Sequence, residues 1–152
     1  ILMLGAGGAA RGVIQPLLAA GAAQIVVANR TLAKAQTLAQ VFAGEGDVQA
    51  LALSALGQVA QPFDVLINAT SASLQGESLD LPASVHHANR AAYDMMYGSE
   101  TPFLRWAAAQ GLTRRRDGAG MLTEQAAEAF FIWRGVRPST ENLLLAMRQE
   151  PK

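Results

Sequence analysis

Two short stretches of this chain combine residue types that can hold a polyanion. The first is Gly5-Ala6-Gly7-Gly8-Ala9-Ala10, which fits Gly-x-Gly-x-x-Ala. In that pattern the first glycine allows a tight turn and the second lets backbone approach a pyrophosphate. The third position must be small so that the following helix lies close on the preceding strand. The helix N-terminus adds unpaired N–H groups and a partial positive charge. The second stretch is Asn29-Arg30-Thr31, with Lys34 one turn further on. Sites for NAD usually place an acid here, about 20 residues after the glycine turn, to accept from the ribose 2′-hydroxyl. No acid lies nearby. Arg30 can pair with a 2′-phosphate and lie on the adenine face, Asn29 and Thr31 can donate hydrogen bonds, and Lys34 adds a cation. This favours NADP over NAD. The competing explanation is a glycine turn chosen for packing, with Thr31 a helix cap and Arg30 and Lys34 solvated surface.

The elements that must position these residues alternate between strand and helix. Ile1–Leu4 reads as a buried strand, and a helix follows from Ala9 to Ala20, which Pro16 should kink before Gly21 ends it. Gln24–Ala28 is a β-branched strand, and Thr31 can cap a helix from Leu32 to about Phe42. Val48–Leu53 is a weaker strand, residues 54–61 a short helix, and Asp64–Ile67 a strand ending at Asn68. A loop rich in Ser, Gly and Asp covers about 70–84. Ala91–Met95 is a further strand. Thr101-Pro102 opens a helix running to Gln110, with Gly111 as its stop. Leu112–Arg116 is a last strand, before helices from about Ala119 to Arg134 and from Ser139 or Thr140 through Met147. Alternation of this kind, with near-continuous apolar strands, predicts a single α/β domain of Rossmann type: a doubly wound parallel sheet with helices on both faces.

With these residues in view, the chain resembles the shikimate dehydrogenase family, in its C-terminal NADP-binding domain. The resemblance covers essentially all 152 residues. It rests on the glycine turn, Asn29-Arg30-Thr31, Asn68-Ala69-Thr70-Ser71, Tyr93-Asp94-Met95-Met96-Tyr97, Thr101-Pro102-Phe103-Leu104, and Asp117-Gly118-Ala119-Gly120-Met121-Leu122 followed by Gln125-Ala126-Ala127. That family reduces 3-dehydroshikimate to shikimate with NADPH, in the pathway to aromatic amino acids. The resemblance implies that Gly5, Ala6, Gly7, Gly8 and Ala9 hold the pyrophosphate, and that Asn29, Arg30, Thr31 and Lys34 hold the 2′-phosphate end. It implies further cofactor-binding positions at Asn68, Thr70 and Ser71, and nicotinamide contacts from Met95, Gly118 and Met121. Tyr97 and Gln125 would reach the substrate. The residues themselves agree in part: Asn68 and Met95 fall at carboxyl ends of strands, where open α/β sheets bind ligands. Met121 and Gln125, four apart, share one helix face. Ser73, where many members have Gly, Ala119, where Leu is commoner, and Lys34, where some have Arg, are small departures.

A larger departure is what the chain lacks. The family's catalytic Lys and Asp, and most substrate contacts, lie in an N-terminal domain. Lys34 and Lys152 are the only lysines, and neither is placed for proton transfer at a substrate, so no catalytic residue is expected here. The chain starts at Ile1, flush with an apolar strand, as a fragment would. It is expected to bind NADP(H) with little or no turnover. Three alternatives compete: a quinate/shikimate dehydrogenase relative, which would tend to carry an acid at the end of the second strand; a glutamyl-tRNA reductase, which would not explain Tyr97, Thr101–Leu104 and Gln125 together; and a non-catalytic nucleotide-binding module.

Composition narrows the remaining classes. Twelve basic residues balance twelve acidic ones, so there is no bulk pull on nucleic acid or an anionic membrane. The absence of cysteine excludes a disulfide scaffold, a thiolate metal site and a cysteine nucleophile. No apolar run reaches membrane-spanning length and no signal-peptide pattern stands at the start, so a cytoplasmic location is expected. His86-His87 reads as a polar loop, without acids that would make it a metal site. Arg114-Arg115-Arg116 reads as a solvated edge or a surface facing the absent domain. Trp106 and Trp133 read as packing residues. Phe130, Phe131 and the closing helix are more apolar than one helix face needs, which predicts an exposed patch with a tendency to self-associate.

Overall fold

A computed structural model of the chain describes residues 1–60, 62–71, 81–98 and 101–149, with the side chains at 88, 89, 148 and 149 outside that description. Most of the expected Ser/Gly/Asp loop, the departure at Ser73 and Lys152 lie outside the described residues.

Among the described residues six strands form one sheet: β1 (Leu2–Leu4), β2 (Ile25–Asn29), β3 (Val48–Ala52), β4 (Phe63–Asn68), β5 (His86–Asp94) and β6 (Arg114–Arg116). Their order is β3-β2-β1-β4-β5-β6 and every pairing is parallel. Successive side chains of a strand face opposite ways, and here that alternation feeds two cores. Met3, Ile25, Val27 and Ile67 pack with Ala10 and Ile14 of α1 (Gly8–Ala19) and Ala35 and Leu38 of α2 (Leu32–Val41). Leu2, Leu4, Val26, Ala28 and Leu66 pack with Phe103, Leu104 and Ala107 of α3 (Pro102–Ala109). Helices therefore cover both faces. The chain winds outward from β1 to β3, then returns through a 3-10 turn at Leu53–Gln58 to place β4 on the other side of β1. The reversal between β1 and β4 is the switch point where such sheets leave a crevice.

Local chemistry explains most element ends. Thr101 accepts from Leu104 N at 3.3 Å and Pro102 opens α3, the cap-then-proline order. Gly135, at φ +71°, ends α4 (Ala119–Arg134) with its N–H on Phe131 O at 2.7 Å. The hairpin to α5 (Glu141–Gln149) is fastened by Thr140 Oγ1 donating to Glu124 at 2.6 Å, by an Arg137–Glu128 ion pair, and by Arg137 lying 4.9 Å over the Phe131 ring. Pro16 stays inside α1, and its carbonyl accepts from Ala20 N at 2.9 Å.

Four expectations need correction. His86 and His87 are not in a loop: β5 starts at His86, five residues before the expected Ala91. The His86 ring is buried edge-on to Trp106, with centroids 5.4 Å apart. The strand start was not legible in sequence because polar His86, His87 and Asn89 precede the apolar run that begins at Ala91. Thr31 occupies the N-cap position of α2 but makes no side-chain cap bond. Trp133 is not a packing residue; it is 78% exposed, near the end of α4. Finally, the last strand begins at Arg114 and not at Leu112, which leaves β6 as Arg-Arg-Arg, the solvated edge expected of that run. Only its inner edge pairs within the sheet, and charge on an edge opposes further strand addition. Trp106 does pack, stacked on Phe103 at 5.8 Å.

Candidate functional site

Parallel register sets the four inner strand ends level. Leu4 is paired with both Ala28 and Asn68, and Asn68 with Asp94. The ladder runs one residue further into each loop: Gly5 N donates to Ala28 O at 2.8 Å, Ala69 N to Leu4 O at 2.9 Å, and Met95 N to Asn68 O at 2.9 Å. The loops after β1, β2, β4 and β5 thus leave the same edge of the sheet, and they carry nearly all the residues singled out from the sequence.

The glycines there do different things. Gly5 has φ +98°, and a Cβ would sit 3.0 Å from Ala69 O and Thr70 Cγ2, so conformation and close approach to the β4 loop both require glycine. Ala10 is fully buried against the sheet, as the third motif position demands. Gly7 and Gly8 answer to no such need, since a Cβ on either would meet no atom of a described residue within 4 Å. Gly7 is the N-cap of α1, no side chain caps that end, and the first turn holds no acid. Ala9 is exposed there and Ala6 half-buried. Bare backbone and uncapped N–H groups facing outward fit a pyrophosphate and are not explained by packing.

At the end of β2, Asn29 Nδ2 donates to Thr31 O at 2.9 Å, shaping the turn into α2. Arg30, Thr31 and Lys34 are exposed. Since Thr31 does not cap α2, its hydroxyl is not committed to the helix end. A cleft of about 430 Å³ runs between α1 and α2, bordered by Gly7 and Gly8 on one side and Lys34 and Thr37 on the other.

The loops after β4 and β5 are built around Asp94, a fully buried carboxylate. Asp94 accepts from Asn68 Nδ2 at 3.1 Å, Met96 N at 3.1 Å and Thr101 Oγ1 at 2.5 Å. Asn68 Oδ1 in turn accepts from Thr70 N at 3.1 Å and Thr70 Oγ1 at 2.7 Å. The Asn68 side chain is buried and organises this loop; Thr70 is half-buried and Ser71 exposed. Gly118 brings the start of α4 against the β5 loop. Its N–H donates to Met96 O at 2.8 Å, and a Cβ would fall 2.2 Å from Met95 O. That approach joins Met95 to the helix carrying Met121 and Gln125. Met95 and Met121 are half-buried, Tyr97 and Gln125 exposed, and Gly98 N donates to Asp117 Oδ2 at 3.3 Å beside them. Burial, then the nearby negative charge of Asp117, raises the pKa of Tyr93 above its usual 10; a backbone hydrogen bond with Met121 opposes the rise and the charge of Asp94 adds to it.

The structure thus groups the candidate residues in two clusters on one edge: glycine turn with β2 end, and β4 and β5 loops with α4. Two residues went without a role in the sequence reading. Asp94 stood within a motif, and its signal was an acid closing an apolar strand. Arg11, one turn into α1, borders the cleft opposite Lys34, and its signal was a cation following a glycine turn.

Strand order, switch point and glycine turn define a Rossmann-type α/β domain. The model for shikimate / quinate 5-dehydrogenase matches residues 1–79, and that for the shikimate 5′-dehydrogenase C-terminal domain matches residues 118–144. The chain belongs to the shikimate/quinate dehydrogenase family. It is 54% identical over 150 residues to a shikimate dehydrogenase (NADP(+)) of Aeromonas salmonicida, covering 98% of this chain and 54% of that protein. Among solved structures it is similar to shikimate 5-dehydrogenase from Thermus thermophilus in complex with NADP(H) and shikimate. That match has 35% identity and a TM-score of 0.77, over 97% of this chain and 54% of the other. Quinate dehydrogenase from Corynebacterium glutamicum in complex with NAD matches at 25% identity with a TM-score of 0.84, over 98% of this chain and 54% of the other. The chain spans about half the length of the relatives it matches.

Proposed function

We propose that this chain is the cofactor-binding half of an NADP-dependent shikimate dehydrogenase, which interconverts 3-dehydroshikimate and shikimate. The observation that carries the reading is the outward-facing backbone at Gly7 and Gly8, next to a β2 end that bears Arg30 and Lys34 and no acid. Uncapped N–H groups at α1 would hold the pyrophosphate, and Asn29, Arg30, Thr31 and Lys34 the 2′-phosphate. Thr70, Ser71, Met95, Gly118 and Met121 would border the nicotinamide half, with Asn68 acting through the loop it shapes. The bound nicotinamide supplies hydride chemistry. Tyr97 and Gln125 would present hydrogen-bonding groups to a hydroxyl-rich substrate from this side of the cleft.

The proton donor and most substrate contacts belong, in this reading, to an N-terminal domain, so the chain alone binds NADP(H) with little or no turnover. The exposed apolar residues of α4 and α5, among them Ile132, Trp133 and Leu145, would meet that domain or self-associate without it. The reading carries a cytoplasmic location with it; among the described residues no helix is long and apolar enough to cross a membrane.

Titration of the chain with NADPH and NADH at one ionic strength tests this. NADPH should bind at least tenfold more tightly, about 1.4 kcal/mol. Gly7→Ala should weaken both ligands while moving stability by less than about 1 kcal/mol, because its Cβ meets no atom of a described residue. Equal affinity for the two cofactors would reduce Arg30 and Lys34 to surface charges and overturn the NADP assignment.

A further inference from the structure

Arg11 is an electrostatic oddity that the family motifs do not account for. It is the fourth residue of α1, close to the positive end of the helix dipole, in a first turn that holds no acid. A cation is disfavoured there. Across the cleft stands Lys34, in the first turn of α2, a second cation at a second helix N-terminus. Among the described residues bordering the cleft there is no Asp or Glu. Among the described residues neither Arg11 nor Lys34 makes an ion pair or a side-chain hydrogen bond. Thr37, about one turn beyond Lys34 on the α2 wall, spends its hydroxyl proton on Ala33 O at 2.9 Å. Two like charges therefore share one cleft, each at the wrong end of its helix, and nothing in the described protein compensates them.

We propose that Arg11 is a specificity-determining residue that closes on the ribose 2′-phosphate of NADP(H) from the α1 side, opposite Lys34. The inference rests on the NADP reading above and deepens it. A phosphomonoester carries close to two negative charges at neutral pH, its second pKa lying near 6. It has three acceptor oxygens, enough to engage cations on both walls at once. The two pyrophosphate phosphates carry one charge each and are served by the α1 N–H groups at Gly7–Ala9. The dianion, and not the diphosphate bridge, is the group that matches a pair of opposed cations. Sequence patterns that look for cofactor choice only after β2 overlook a contribution from the glycine-turn helix.

The test is fluorescence titration of this chain, wild type, Arg11→Gln and Arg11→Lys, with NADPH and with NADH, which differ only in the 2′-phosphate. Arg11 is exposed, so both variants should fold as wild type, and thermal unfolding checks that. Arg11→Gln should weaken NADPH about tenfold and leave NADH within about twofold. Arg11→Lys should retain most of the preference, and the difference should shrink as salt is raised. Equal weakening of both cofactors would assign Arg11 to the shared pyrophosphate and overturn the inference. Unchanged NADPH binding would overturn it as well. If wild type shows no preference for NADPH, the NADP reading itself fails and this inference falls with it.

Discussion

Removing the Asp94 carboxylate should cost far more than removing its charge. Among the described residues Asn68 Nδ2, Met96 N–H and Thr101 Oγ1 all donate to it. Asn68 is fully buried and Thr101 8% exposed, so water cannot readily replace the lost acceptor for either. Each buried donor left without a partner costs about 1–3 kcal/mol. Met96 is half-buried and can recover a bond from solvent. Asp94→Ala is therefore expected to destabilise the chain by about 4 kcal/mol, a large share of the roughly 5–15 kcal/mol that holds a domain folded. Asp94→Asn keeps one oxygen for Asn68 and Met96 and turns an amide toward Thr101 Oγ1, which can accept. Its cost should be about 1 kcal/mol. Urea unfolding followed by circular dichroism reads both variants, with the midpoint and slope fitted together. The same substitutions should slacken the loops at 68–71 and 95–97, so weaker NADPH binding should accompany Asp94→Ala at temperatures where it is folded. A loss below about 1.5 kcal/mol for Asp94→Ala, or equal losses for both variants, would refute the claim that this carboxylate acts as an acceptor hub.

Two further outcomes are expected. His86 is buried against Trp106 with neither ring nitrogen hydrogen-bonded among the described residues, so His86→Phe, which keeps the edge-on contact and removes those nitrogens, should stabilise the chain by about 1 kcal/mol; a loss in urea midpoint would count against it. Tyr93 has a raised folded pKa, so its neutral phenol favours the folded state, fully below pH 10 and decreasingly as pH climbs through the folded value. Phenolate absorbance should show one of the chain's two tyrosines ionising late, and stability above pH 10 should fall less steeply in Tyr93→Phe than in wild type; identical slopes would remove burial as the cause.

The alternation of strand and helix, the glycine turn and the acid-free end of β2 were legible from residue order because each is a local matter. A tight turn that needs φ +98° at Gly5, a helix opened by Thr101-Pro102 and short, near-continuous apolar runs such as those of β1 and β2 all declare themselves within a few residues. The motifs at 93–97 and 117–125 could be read as members of one set, but their meeting could not. Gly118 is glycine because Met95 O lies where its Cβ would be, although the two positions stand far apart along the chain. Asp94 closes an apolar strand in the sequence; only the fold turns it into the acceptor that ties Asn68, Met96 and Thr101 together. The strand at His86 was hidden for the same reason, since its burial is supplied by Trp106 from α3 and not by its own neighbours. Arg11 and Lys34 are ordinary cations along the chain, and they become an opposed pair once α1 and α2 pack on the same face of the sheet. Local sequence determined which backbone each segment adopts and which chemistry it offers. The tertiary structure decided which of those groups face one another, because burial, charge pairing and close approach depend on distance in space and not on separation along the chain.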